Sequence, residues 1–352
     1  MKTVLVTGAA GTVGNYVAGL AEAAGYRVIA TDLVSSGVRV PVRGEIRPAD
    51  LRDPGAAPRL VEGCDYVIHA AAQLSVEADA AELARTNTDA VVRLYEAARD
   101  AGVERFVHMS TATLYAPSNE PLTEELPLAP RGSYGMSKHG AEVYLRGQDF
   151  GPAWTILRAG PIYGRRGRHF AASLLSIGPI LHLALPVLPR PSGGPVGTMV
   201  HAEDVARALL FVLEHDPSVR EIYNVSDGDA IPLGDRIAMT FDAYGLRSVP
   251  TGKLPHLVLE ATGRLFQKPG AYHGADVSAL AAWRAVVVRH GIKPALRPRM
   301  DREALTLLYE DLVVDASKLR THGWKPRFAS FEQGWREVLR WYQAERWVPR
   351  YA

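Results

Sequence analysis

Through the first half of the chain, short runs rich in β-branched apolar residues alternate with longer stretches whose apolar positions recur at helical spacing. The runs Lys2–Thr7, Tyr26–Thr31, Tyr66–Ala70, Arg105–Ser110 and Trp154–Arg158 predict strands. Between them, Val13–Ala24, Ala80–Ala101 and Tyr134–Gln148 predict helices. A later strand, Glu221–Val225, returns to the same sheet after a helix over Glu203–Glu214. Strand–helix alternation of this kind predicts the α/β class, with a doubly wound parallel sheet and crossover helices on both faces.

The second part changes character. Pro, Gly and Arg become frequent between Gly164 and Gly197, and the apolar period is helical from Leu254 onward. The pattern divides the chain into residues 1–164, joined by 198–228, and a smaller, mostly helical unit made of 165–197 and 229–352. Within that unit, Trp283 to Arg302 sets Arg284, Arg289, Lys293, Arg297, Arg299 and Arg302 among apolar residues. That segment reads either as a solvated helix face with snorkelling side chains or as a peripheral membrane contact. The longest apolar stretch, Ala171–Leu188, is broken by Gly178, Pro179, His182 and Pro186. A bilayer span needs about 20 consecutive apolar residues, so this stretch is not one.

Composition narrows the picture modestly. The chain has 352 residues, 47% apolar and 22% charged, as in an ordinary globular protein. Forty basic against thirty-eight acidic residues leave a net charge of +2, which gives no reason to expect a nucleic-acid partner. One cysteine, Cys64, excludes a disulfide framework and a Cys-rich metal site; no metal is expected, and Cys64 is read as a small buried apolar residue. The first predicted strand begins at Lys2, which leaves no room for a signal peptide and makes the cytoplasm the expected location.

The first strand runs into Thr7-Gly8-Ala9-Ala10-Gly11-Thr12-Val13-Gly14 and then a helix. Glycines at such a turn let the backbone approach a pyrophosphate, whose charge the helix N-terminus stabilises. The second strand ends at Asp32, eighteen residues beyond Gly14, where a carboxylate would bind adenine-ribose hydroxyls. It would also repel a 2′-phosphate, so the expected cofactor is NAD rather than NADP. This combination specifies a Rossmann fold. Gly8, Ala10, Gly11, Thr12, Val13, Gly14 and Asp32 are candidate cofactor contacts. Asp50 and Leu51 are placed to meet the adenine, and Ala70, Ala71 and Ala72 are small enough to lie against the dinucleotide. His69 reads as a packed strand residue.

Tyr134 and Lys138 stand four residues apart on a predicted helix and so share a face. A tyrosine with an ordinary pKa near 10 is a poor base at neutral pH, and a neighbouring ammonium favours its phenolate. Coming after a dinucleotide turn and after Ser110-Thr111 at a strand end, this Tyr-x-x-x-Lys is specific.

On these residues, together with Asn87, Arg158–Gly164 and Val200–Ala206, the chain resembles the extended short-chain dehydrogenase/reductases. These form the NAD-dependent epimerase/dehydratase group, and the likeness covers essentially the whole length. The resemblance implies Tyr134 as acid/base and Lys138 as its electrostatic partner and ribose anchor. Thr111 becomes the hydroxyl that hydrogen-bonds the substrate oxygen. Asn87 is similar to the residue that orients a helix near the active site, or else lies on a helix surface. The resemblance also implies a homodimer formed through the helices at Ala80–Ala101 and Tyr134–Gln148.

Departures from the family pattern bear on substrate. Sugar-nucleotide members carry an Asn three positions after the Arg corresponding to Arg158, and an Arg four positions before the His corresponding to His201. Both contact the substrate diphosphate. Here these positions are Pro161 and Gly197, and proline offers neither side-chain donor nor N–H. Arg165, Arg166 or Arg168 would have to substitute. Arg158–Gly164, Leu254–Glu260 and Leu307–Pro326 resemble instead the 3β-hydroxysteroid and sterol-4-carboxylate dehydrogenases. On that likeness the expected activity is oxidoreduction of an apolar secondary alcohol or ketone, with Leu174–Leu188 lining the pocket or forming core. Sugar-nucleotide epimerase or dehydratase chemistry is the alternative, and an NAD-binding scaffold without turnover a third.

Overall fold

The computed structural model describes residues 1–33, 40–74, 79–167, 171–299 and 302–351. Seven strands form its main sheet: β1 (Thr3–Thr7), β2 (Arg27–Thr31), β3 (Glu45–Ile46), β4 (Tyr66–His69), β5 (Arg105–Thr111), β6 (Ala153–Ala159) and β7 (Glu221–Val225). Their order is β7-β6-β5-β4-β1-β2-β3, parallel throughout. Helices on both faces explain why β1, β2 and β4 read as continuous rather than alternating apolar runs. One face is covered by α1 (Gly14–Ala23) and α7 (Ala202–Glu214), where Val17, Ala18, Val205 and Leu209 are fully buried against Val4, Val6 and Leu157. The other carries α2 (Ala56–Val61), α4 (Ala90–Asp100) and α5 (Gly132–Arg146), with Leu60, Leu94, Tyr95 and Leu145 against Leu5, Val67 and Phe106. Chain direction away from the centre reverses between β1 and β4, so a crevice opens at their carboxyl ends.

The predicted strands fall within a residue of those observed. The stretch Ala80–Ala101 is less regular than its periodicity suggests. It comprises α3 (Ala80–Ala84), a π-helical turn at Arg85–Asp89, and α4. The wider turn carries Asn87 into the interior, where it is fully buried.

The remaining residues supply α6 (Ala171–Leu181), α8 (Leu233–Tyr244), α9 (His256–Phe266), α10 (Pro269–His290), α11 (Ser317–Thr321) and α12 (Phe331–Ala344). A separate core holds α6, α8, α10 and α12 together, with Leu174, Leu175, Leu188, Phe241, Trp283 and Trp335 buried in it. Of the two readings of Leu174–Leu188, core holds for Leu174, Leu175 and Leu188. Two expectations need correction here. Trp283–Arg302 is helical only to His290, because Gly291 takes a left-handed φ of 59° and ends α10. Residues 312–324 also belong with the sheet half: Leu319 and Trp324 join its core, and Lys318 pairs with Glu221 on β7. Among the described residues, no helix is long and apolar enough to cross a membrane.

Candidate active site

At the carboxyl ends of β1, β2 and β4 lies a cleft of about 690 Å³. Its wall contains Gly8, Ala10, Gly11, Thr12, Asp32, Asp50, Leu51, Ala70, Ala71 and Ala72, all expected from the sequence. Two glycines are obligatory for steric reasons. Gly8 has a φ of 67°, and a Cβ there would stand 2.8 Å from the Ala71 backbone; at Gly14 it would meet the Gly8 carbonyl oxygen at 2.1 Å. The Asp32 carboxylate accepts the Ala10 and Leu33 N–H groups, each at 2.8 Å, which fixes it at the mouth of the glycine turn. Helix α1 starts without a side-chain cap or an acidic residue in its first turn. Glycine turn, small alanine wall and the Asp32 carboxylate together fit a dinucleotide.

Asp50 points its carboxylate at Arg52 (2.7 and 3.0 Å), which holds its pKa below the ordinary value. Val13, Gly14, Asn87 and Pro161 stand outside the cleft wall. Val13 is core, and the Pro161 carbonyl accepts the Val200 N–H at 3.0 Å. Asn87 works from behind the wall. Its side chain accepts the Gln73 N–H (2.8 Å), donates to the Gln73 carbonyl (2.9 Å) and donates to Ser137 Oγ on α5 (3.0 Å). This places it between the segment after β4 and α5. Sequence reasoning missed Thr86, Arg52, Gln73 and Glu82 on the wall, and four residues from far along the chain: Arg166, Trp341, Glu345 and Trp347.

Helix α5 presents Tyr134, Lys138 and Glu142 at four-residue intervals along one face. Tyr134 is half-buried; Lys138 is buried, with 1% of its surface exposed. Its ammonium donates to the Met109 carbonyl (2.7 Å) and to His108 Nε2 (3.2 Å). An ammonium has only donors, so Nε2 accepts and His108 is the neutral Nδ1–H tautomer. Burial lowers the Lys138 pKa from 10.5 to about 8, partly opposed by Glu142. Burial and the Lys138 charge also push His108 well below the ordinary value, and His69 to about 3. The two rings stack at 5.4 Å as an uncharged floor beneath the ammonium, and His69 Nδ1 meets Thr7 Oγ1 at 2.8 Å. His69 is thus packed in the strand, as its sequence context suggests. Thr111 ends β5, and its hydroxyl lies 3.0 Å from that of Thr113.

Below this face runs a buried ion pair. Arg158 on β6 donates to Glu142 at 2.6 and 3.0 Å, with 2% and 0% side-chain exposure. Ser110 Oγ donates to the same carboxylate, and Tyr115, accepting from Arg158 at 3.0 Å, donates to Asn224 on β7. Each guanidinium nitrogen finds an acceptor, as a buried pair requires. Glu142 continues the Tyr134–Lys138 spacing by one turn, a signal that was available in the sequence.

Gly197 faces Leu312 and Arg236. A Cβ there would lie 3.4 Å from the Leu312 carbonyl oxygen. Arg236 from α8 donates to the Gly197 carbonyl at 2.7 Å, stacks on Phe331 and is attracted by Asp227 and Asp229. Burial raises the Asp227 pKa to about 7. Arg165 is paired with Glu337, and Arg168 lies outside the described residues.

Comparison with known proteins places this geometry. Residues 4–226 match the model of the NAD dependent epimerase/dehydratase family. The 4-hydroxy-2-methyl-3-oxo-4-farnesyl-3,4-dihydroquinoline-1-oxide ketoreductase of Stigmatella aurantiaca is 27% identical, over 84% of this chain and 86% of that one. The 3-diazoavenalumate denitrifying reductase of a Streptomyces species is 30% identical, over 72% and 86%. The crystal structure of the Thermus thermophilus UDP-glucose 4-epimerase in complex with NAD superposes with a TM-score of 0.68 at 26% identity, covering 97% of this chain and 99% of that one.

Proposed function

The chain belongs to the NAD dependent epimerase/dehydratase family, and within it we propose an NAD-dependent oxidoreductase acting on a secondary alcohol or ketone of an apolar, steroid- or terpenoid-like substrate. The observation that carries this reading is the state of the two diphosphate positions. Pro161 offers no donor and its carbonyl is taken, while beside Gly197 the Arg236 guanidinium is engaged with a backbone carbonyl and set against two carboxylates. A phosphate arriving there would have to displace these contacts. The ketoreductase relative, whose name specifies a farnesylated ketone, supports the same choice.

NAD supplies the hydride acceptor and donor. Tyr134 moves the proton at its phenolic oxygen, and Thr111 orients the substrate oxygen by a hydrogen bond. Lys138, charged at neutral pH and held by Met109 and His108, favours the phenolate. The ion pair of Glu142 and Arg158 fixes the helix face against β5 and β6.

The test is NADH absorbance during incubation with prenylated, terpenoid and sterol ketones on one side and UDP- and dTDP-sugars on the other. NADH consumption with an apolar ketone is expected. Turnover of a sugar nucleotide without net NADH change would replace this reading with the epimerase alternative, which the likeness to the Thermus epimerase favours. Cofactor binding with no turnover on either panel would indicate a scaffold.

A further inference from the structure

The outer wall of the cofactor cleft comes from the other lobe. Residues 164–167 leave the short strand Ile162–Tyr163 and cross the glycine turn, so that a Cβ on Gly164 would sit 3.5 Å from Thr12 Cγ2. Helix α12 is fastened to this loop by Tyr342, whose hydroxyl reaches the Gly164 carbonyl at 3.2 Å and also contacts that of Gly167. One residue earlier, Trp341 carries the Arg166 guanidinium over its ring at 5.8 Å, and Trp347 packs edge-on to Trp341 at 5.3 Å. Arg166, Trp341 and Trp347 line the same cleft as Gly8, Gly11 and Thr12.

Arg166 differs from its neighbour in one decisive respect. Arg165 is neutralised by Glu337, whereas the Arg166 hydrogen bond goes to the amide oxygen of Asn15, at 2.5 Å, in the first turn of α1. Among the described residues no carboxylate hydrogen-bonds it; Glu345 on the same wall attracts it only at longer range and is itself paired with Lys293. The Arg166 backbone is also held at a φ of 66°, a conformation most side chains avoid. A half-buried cation kept in a strained conformation, against the turn that receives a dinucleotide, calls for an anion.

We propose that Arg166 is the cation that meets the pyrophosphate of NAD. Trp341 and Asn15 position it, and Trp341 and Trp347 close the cleft over the cofactor. The inference rests on NAD as the cofactor, and extends it to residues outside the sheet half.

Arg166→Gly is a clean test, because glycine adopts the left-handed backbone without strain. Calorimetry would compare NAD, ADP-ribose and adenosine on the wild-type and variant proteins, with melting curves as a folding check. NAD and ADP-ribose should bind about 10- to 100-fold more weakly to the variant, the worth of a charged hydrogen bond. Adenosine, which lacks the pyrophosphate, should be unaffected. Arg166→Lys should recover part of the loss. In parallel, bound NADH should quench tryptophan emission by energy transfer, less so in Trp341→Phe and Trp347→Phe. Unchanged NAD affinity in Arg166→Gly, or equal losses for NAD and adenosine, overturns the proposal while leaving the cofactor assignment standing. A wild-type protein that binds no NAD overturns both.

Discussion

In the sheet half, β1, β2, β4 and β6 bury almost every side chain, and the cleft they open is walled largely by the glycine turn and the alanines after β4, with Asp32 among the side chains that join them. Helices α9 and α10 do the reverse. Leu257 and Val288 are 76% and 82% exposed, and Val258, Leu265 and Val277 are more than half or nearly half exposed. One region has spent its apolar surface on a sheet that presents a site; the other keeps apolar surface in contact with water. The cofactor end thus depends on backbone geometry, which tolerates little change. Helices α9 and α10 present exposed side chains, which can be exchanged without disturbing the frame. Surface of that kind marks an interaction site more often than a structural accident.

If this division is right, changes on the two sides should separate cleanly. The largest effect is expected from Tyr134→Phe, which should lower kcat by about 10²–10⁴-fold while leaving the NAD dissociation constant near wild type. Retention of more than about a tenth of the rate would remove Tyr134 from the acid/base role.

Lys138→Met sharpens the comparison in another direction, because a buried charge in a fully packed frame costs stability. The Lys138 pKa is depressed from 10.5 to about 8, which corresponds to about 3 kcal/mol. An unfolded chain binds the proton more tightly, so this cost is present in full below about pH 8 and disappears as pH rises toward about 10.5. Lys138→Met should therefore be inactive yet more stable than wild type at neutral pH. Denaturant titrations across that range should show the advantage shrinking with rising pH. A less stable variant at neutral pH would mean that the contacts to Met109 and His108 outweigh the desolvation.

A smaller effect is expected at Asp32. Substitution by Ser should narrow the ratio of NADP to NAD dissociation constants by about tenfold, since it removes one charge opposite the 2′-phosphate. An unchanged ratio would assign the choice elsewhere. The smallest effect is expected on the exposed helices. Leu257→Ser should raise KM for an apolar ketone a few-fold, about the worth of one or two methylenes, with NAD affinity unaltered. If NAD affinity falls as well, the two ends are coupled and the division fails.

The same division explains what could be read from the chain. The glycine turn, Asp32 and the Tyr134–Lys138 pair are local signals, each contained in one strand–turn–helix or one helical turn, so spacing alone exposes them. Glu142 repeats that spacing, but its meaning needs Arg158 on another strand. The π-helical turn that buries Asn87 leaves the apolar period of its helix nearly unchanged. Trp341 and Trp347 carried no signal, because their nearness to Gly8 exists only after the second lobe has docked, and the sequence marks Arg166 only as a stand-in for a substrate-diphosphate contact. The basic segment after Trp283 failed for a local reason: the left-handed stop at Gly291 outweighs a helical pattern of arginines.

The wall formed by Trp341 and Trp347 has a consequence for how the protein is made. The seven strands are all present once Val225 has been synthesised, so the sheet and its glycine turn can assemble on the growing chain. The pocket they open stays one-sided until residue 347 follows. At about 5–20 residues per second, that interval lasts on the order of ten seconds. During it, the nascent chain exposes a cofactor groove that lacks its lid, so tight capture of the dinucleotide waits for the last helix.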